Sequence, residues 1–115
     1  MDMTDERLER ILERIGATRI LAVGDLMLDE FIWGRVQRIS PEAPVPVVEV
    51  QRESSFPGGA ANVARNLREF SRHVEVLGLV GCDPAGERLS QLLSEAGIGL
   101  GGLIADPQRP TIVKT

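Results

Sequence analysis

Short apolar runs alternate with amphipathic stretches along most of this chain, and that alternation narrows the fold more than any other feature. Residues 19–24 (Arg-Ile-Leu-Ala-Val-Gly) and 73–80 (His-Val-Glu-Val-Leu-Gly-Leu-Val) have strand length and are rich in β-branched residues and leucine. The first reads as a strand buried on both faces, as in a parallel sheet. Around them lie three helical patterns. Residues 4–15 place Leu8, Ile11, Leu12 and Ile15 on one face, with Thr4 as cap and Gly16 as stop. A second helix runs from about residue 58 to 70, with Ala60, Val63, Ala64, Leu67 and Phe70 as its buried stripe. A third is capped by Asp83 with Pro84 at the first position. It buries Leu89, Leu92, Leu93 and Ala96 and ends at Gly97. Strands and helices in this order predict an α/β fold with a mostly parallel sheet.

Residues 28–55 break the pattern. They carry Pro41, Pro44 and Pro46 among Val45, Val47, Val48 and Val50, and have no helical period. Proline excludes a central strand and permits edge strands, so this segment reads as a β excursion from the main sheet. Two short strands close the chain near 102–105 and 111–115, with Asp106-Pro107 turning between them. There is no internal repeat or linker, so the 115 residues form one structural unit. The last predicted strand reaches Thr115 without a cap, which leads us to expect a piece of a larger fold.

Composition removes several function classes. Thirteen basic against seventeen acidic residues give a net charge of −4, with no basic stripe for nucleic acid. Three Phe, one Trp and no Tyr are too few for a base-stacking surface. Lys114 is the only lysine beside twelve arginines, which removes a phosphate loop of the GK[ST] kind. The single cysteine, Cys82, fits a reducing cytoplasm and reads as a packed thiol near the sheet. The acidic start is unlike a signal peptide, and no apolar run has membrane-spanning length. No membrane or nucleic-acid partner is expected.

Two segments carry potential chemistry. In Pro57-Gly58-Gly59-Ala60-Ala61-Asn62-Val63-Ala64, glycines at a loop-to-helix junction let backbone approach a ligand, and free N–H groups at the helix start favour polar or anionic atoms. Asn62 can donate and accept at once, which suits sugar hydroxyls. The alternative is a tight turn that Asn62 merely caps. In Gly24-Asp25-Leu26-Met27-Leu28-Asp29, two carboxylates follow the first strand, where open α/β sheets bind ligands. The alternative is that they bond only turn amides. Neither segment is the G-x-G-x-x-G of a dinucleotide domain, which weakens a dehydrogenase-type reading. His73 reads as a surface residue, and Met27 as core or site wall.

These residues resemble a family. Gly58-Gly59-Ala60-Ala61-Asn62-Val63-Ala64, with Ser71 and Gly81 at their spacings, is similar to the N-terminal signature of the ribokinase-like (PfkB) carbohydrate kinases. Gly81-Cys82-Asp83-Pro84-Ala85-Gly86 resembles the family's G-x-D-x-x-G. Residues 23–29, 38–47 and 57–62 resemble the heptose 7-phosphate kinase branch, which phosphorylates O1 of the sugar from ATP on the route to ADP-heptose for lipopolysaccharide. The resemblance implies a three-layer fold with a small β lid at about 30–56, of which residues 1–115 are the N-terminal part. It implies a sugar phosphate substrate, with Asp29, Gly58, Gly59 and Asn62 on the sugar and Arg38 either on its phosphate or as a solvated lid arginine. It implies ATP and Mg2+, and a homodimer paired through the lid, with Trp33 in that interface. The family's second signature, an Asp-Thr-x-Gly-Ala-Gly-Asp-type segment, is absent from the sequence. No residue here is therefore assigned to catalysis, to a metal or to the nucleotide, and the isolated chain is expected to have little or no kinase activity. The competing expectation is a non-catalytic module that binds sugar or self-associates through the lid.

Overall fold

In the computed structural model, which describes residues 3–115, local capping chemistry sets the helices. Thr4 Oγ1 accepts from Arg7 N at 3.3 Å to start α1 (Asp5–Ala17). α1 runs past Gly16 and ends against Thr18. Its apolar stripe stays exposed, and no residue of α1 is buried. α2 (Ala60–Arg68) begins at Gly59, whose φ of +57° lies in the left-handed region that glycine enters without strain. α3 (Pro84–Glu95) starts on Asp83, whose Oδ1 accepts from Gly86 N at 2.8 Å, with Pro84 in the first turn.

Two three-stranded sheets result. The parallel sheet has the order β1 (Arg19–Val23), β4 (His73–Gly81), β5 (Gly99–Asp106). The glycines at 99, 101 and 102, read from sequence as a flexible connection, lie inside β5. The second sheet is an antiparallel ribbon of β2 (Leu26–Ile39) and β3 (Pro46–Gly59), with β6 (Ile112–Lys114) added parallel to the base of β2. The excursion is thus longer than 28–55. Its prolines obey backbone chemistry: Pro41 and Pro44 lie in the connection, Pro46 is the first residue of β3, and Pro57 lies in β3, the edge strand.

The core forms where α2 and α3 meet one face of the parallel sheet and the ribbon's base. Val74 and Val76 of β4, Leu26 and Leu28 of β2, Ala61 and Ala64 of α2, and Leu89 and Leu93 of α3 are buried together. The other sheet face is bare. Leu21, Val23, Leu77, Leu79 and Ile104 are all exposed there, so β1 is covered on one side only. A parallel sheet normally has helices on both faces, so two of the three expected layers are present. The stripe of α2 is also narrower than its periodicity implied, because Val63 and Phe70 are exposed. Cys82 is exposed rather than packed. The ribbon projects from this core: the radius of gyration is 19.1 Å, against about 13 Å for a compact chain of this length. Among the described residues no helix is long and apolar enough to cross a membrane.

Candidate functional site

The base of the ribbon brings together the candidate site residues other than Arg38. β2 leaves the parallel sheet after Val23, and β3 returns to α2, so the pair closes at Leu26 opposite Gly59 and Met27 opposite Gly58. Asp25 O accepts from Ala60 N at 2.9 Å and fixes the start of α2 against the β1–β2 turn. Asp29 lies two positions beyond Met27, on the ribbon face that Gly58 lines. Its carboxylate rests on the Gly58 backbone. A β-carbon at Gly58 would fall 2.6 Å from Asp29 Cγ and Oδ1 and 2.8 Å from Oδ2. Any side chain at this position would push the Asp29 carboxylate aside.

Asp29 Oδ1 is buried and has no hydrogen-bond partner among the described residues. A buried carboxylate oxygen left unpaired costs free energy, and native structures rarely leave one without a ligand or water to bind. The start of α2 is similarly unfinished, since Gly59 offers no side-chain cap. Asn62 lies in the first turn, and no side-chain hydrogen bond caps the helix. It lies within one turn of Gly59, roughly 5 Å along the axis. One turn further on, Arg65 stands over the Phe56 ring at 6.0 Å, and Phe56 is the direct partner of Asp29 in the ribbon. Asp29, Gly58, Phe56 and the α2 start therefore border one another.

Arg38 is not part of this group. It lies nine residues further along β2, about 30 Å away at ~3.3 Å per residue, near Glu49 at the far end of the ribbon. Along the way, Phe31 stacks with Trp33 at 6.4 Å and meets Phe56 edge-on at 5.8 Å, and Arg52 covers the Trp33 ring at 4.8 Å. This aromatic face is exposed and continuous with Asp29.

The Gly81–Gly86 segment holds the other border of the site. Asp83 Oδ1 accepts from Thr111 Oγ1 at 2.6 Å, Oδ2 accepts from Thr111 N at 2.8 Å, and Gly81 N donates to Thr111 Oγ1 at 2.8 Å. The Thr111 hydroxyl, then the Thr111 and Gly86 amides, hold the Asp83 carboxyl below its ordinary pKa, against a smaller opposing effect of burial. This knot fixes where β6 begins and so puts Lys114 in register with Asp29. No local sequence signal marks that pairing.

Cavities open at both ends of the parallel sheet. One of about 410 Å3, lined by Gly24, Asp25, Gly78 and Arg109 among others, opens at the carboxyl ends of the parallel strands. A larger one of about 600 Å3, bordered by Arg19, His73 and Glu75, lies at the opposite ends of the strands, away from every flagged residue. Among the described residues no group of three or more His, Cys, Asp or Glu could hold a metal ion.

Comparison with known proteins shows the family. Residues 17–115 match the pfkB family of carbohydrate kinases. The chain is 49% identical over 113 residues to the bifunctional protein HldE of Citrifermentans bemidjiense, covering 98% of this chain and 23% of that protein. It is 48% identical over 102 residues to the D-beta-D-heptose 7-phosphate kinase of Bordetella bronchiseptica, covering 89% of this chain and 32% of that one. A sugar kinase from Pyrococcus horikoshii, solved in complex with ATP, shares the fold with a TM-score of 0.56 and 25% identity, over 82% of this chain and 28% of its own. The chain thus spans about a third or less of the relatives it matches. The family match runs through every strand and helix from β1 onward, and the chain belongs to the pfkB carbohydrate kinases.

Proposed function

We propose that this chain supplies the sugar-binding half of an ATP-dependent kinase that phosphorylates a hydroxyl of a heptose 7-phosphate, in the synthesis of ADP-heptose for lipopolysaccharide. One observation carries the reading: the buried, unpartnered Asp29 Oδ1 pressed against Gly58 at an uncapped helix start. A carboxylate accepts hydrogen bonds from sugar hydroxyls, and fixed amides and Asn62 complete donor and acceptor positions around them. Gly58 and Gly59 let the sugar approach the backbone. Arg38 is too far along the ribbon to share a bound sugar with Asp29 of the same chain.

Phosphoryl transfer needs charge stabilisation around the γ-phosphate and an aligned nucleophile. ATP and Mg2+ belong to the proposed reaction, but no step is assigned to them on these residues. We therefore infer that the isolated chain binds sugar phosphate and turns over little or none. On this reading the reaction runs in the cytoplasm. The exposed ribbon face of Phe31, Trp33 and Phe56 favours pairing of two lids in a homodimer. It equally favours a second reading, a non-catalytic module that binds sugar or self-associates.

The test combines calorimetry with coupled ADP release, using heptose 7-phosphate and ATP. Binding that is lost in Asp29→Ala, with no ADP release, is the expected result. Robust turnover by the 115-residue chain overturns the division of labour, and binding unchanged in Asp29→Ala overturns the site.

A further inference from the structure

With Arg38 about 30 Å from Asp29 at the far end of the ribbon, the phosphate of a bound sugar phosphate has no partner there. A different cation is close. β6 runs parallel to β2 with Ile112 beside Met27, Val113 beside Leu28 and Lys114 beside Asp29. Neighbouring strands are about 4.8 Å apart, and residues paired across them project to the same side of the sheet. Lys114 therefore flanks the carboxylate on the side away from Phe56, and it is exposed.

Its position is built rather than incidental. Thr111, the residue before β6, is buried and takes part in three hydrogen bonds with Asp83 and Gly81. At the other end of the strand, Thr115 Oγ1 donates to Glu30 Oε2 at 3.3 Å. The register of β6 is thus pinned on both sides of Lys114. Despite an ammonium in the next strand, Asp29 Oδ1 remains without a hydrogen-bond partner.

We propose that Lys114 is the residue that selects a phosphorylated sugar at this site: Asp29 takes hydroxyls, and the neighbouring ammonium takes the anionic group. This rests on the sugar-binding reading of Asp29 and adds to it the residue that holds the sugar's phosphate. The chemistry divides cleanly. A carboxylate only accepts and repels a phosphate, whereas an ammonium carries three donors on a flexible four-carbon stem and pairs with phosphate as a point charge. One lysine in register with one aspartate lets a single ligand satisfy both, provided it carries hydroxyls and an anion within a few ångströms of each other. A neutral sugar satisfies only the aspartate.

The experiment titrates heptose 7-phosphate and unphosphorylated heptose against the full 115-residue chain by calorimetry. Wild type is compared with Lys114→Met, Lys114→Arg, and Arg10→Met on α1 as a charge control, each first checked by thermal unfolding. Lys114→Met should weaken the phosphorylated sugar about tenfold or more, the scale of a charge-assisted hydrogen bond. It should leave the neutral sugar unchanged. Lys114→Arg should restore most of the loss, and Arg10→Met should change nothing. Equal effects on both sugars, or no effect on either, overturn the proposal while the sugar site stands. Wild type that binds neither sugar overturns the sugar-binding reading itself, and the proposal with it.

Discussion

Gly58→Ala isolates the contact on which the site depends. The added β-carbon would stand 2.6 Å from Asp29 Cγ and Oδ1, where non-bonded carbon atoms prefer about 3.5–4.0 Å. The carboxylate must therefore retreat by about 1 Å. Displacing the carboxylate weakens its charge-assisted hydrogen bonds to sugar hydroxyls, worth about 1.5–3 kcal/mol each, so affinity should fall roughly tenfold or more. The fold should lose less, at the low end of the ~1–3 kcal/mol typical of overpacking, because the carboxylate is the end of a half-buried side chain that can swing aside. Gly58 has no positive φ, so alanine adds no backbone strain. Gly101→Ala is the matched control, since a β-carbon there meets nothing within 4 Å. Calorimetry with heptose 7-phosphate reads the affinity and thermal unfolding reads the stability. Gly58→Ala should lose binding while staying folded, and Gly101→Ala should match wild type. Affinity within about twofold of wild type in Gly58→Ala would refute the contact argument.

Three further outcomes follow from other parts of the molecule. The Asp83 carboxyl is held below its ordinary pKa in the fold, so its stabilisation is complete above the unfolded value of about 3.9 and is lost as pH falls through the lower folded value. In acid titrations followed by circular dichroism, Asp83→Asn should therefore remove part of the stability loss below about pH 4; an unaltered acid limb contradicts the knot. Ser71 is buried, donates to Thr18 O and accepts from His73 N at 3.1 Å, so Ser71→Ala should cost about 1–3 kcal/mol in urea unfolding. Trp33→Glu should abolish self-association in sedimentation, and a wild type that is already monomeric at all concentrations would remove the lid interface.

Legibility in the sequence followed the range of each interaction. The Asp83-Pro84 start of α3 is a local event, and the structure reproduces it residue for residue. Gly58, Gly59 and Asn62 were visible because a glycine pair at a helix start has few uses, and Asp29 because it follows a strand at the sheet's carboxyl end. What failed was non-local. Periodicity showed that α1 has an apolar stripe and β1 an apolar run, but not whether anything covers Leu12 or Val23, both exposed. Arg38 had suitable chemistry, yet its distance depends on a ribbon whose unbroken length only strand pairing reveals. Lys114 reads from sequence only as the lone lysine, because β6 reaches Asp29 through a register set far away, at Asp83 and Thr111.

The central claim is that sugar phosphate is bound at the ribbon base. Titration of the isotopically labelled chain with heptose 7-phosphate, followed by amide NMR shifts, tests it most directly. Shifts concentrated at Asp29, Gly58, Gly59 and Asn62 are predicted. Shifts confined to the cavity at the opposite end of the sheet, around Arg19 and His73, or no shifts at all, would contradict it.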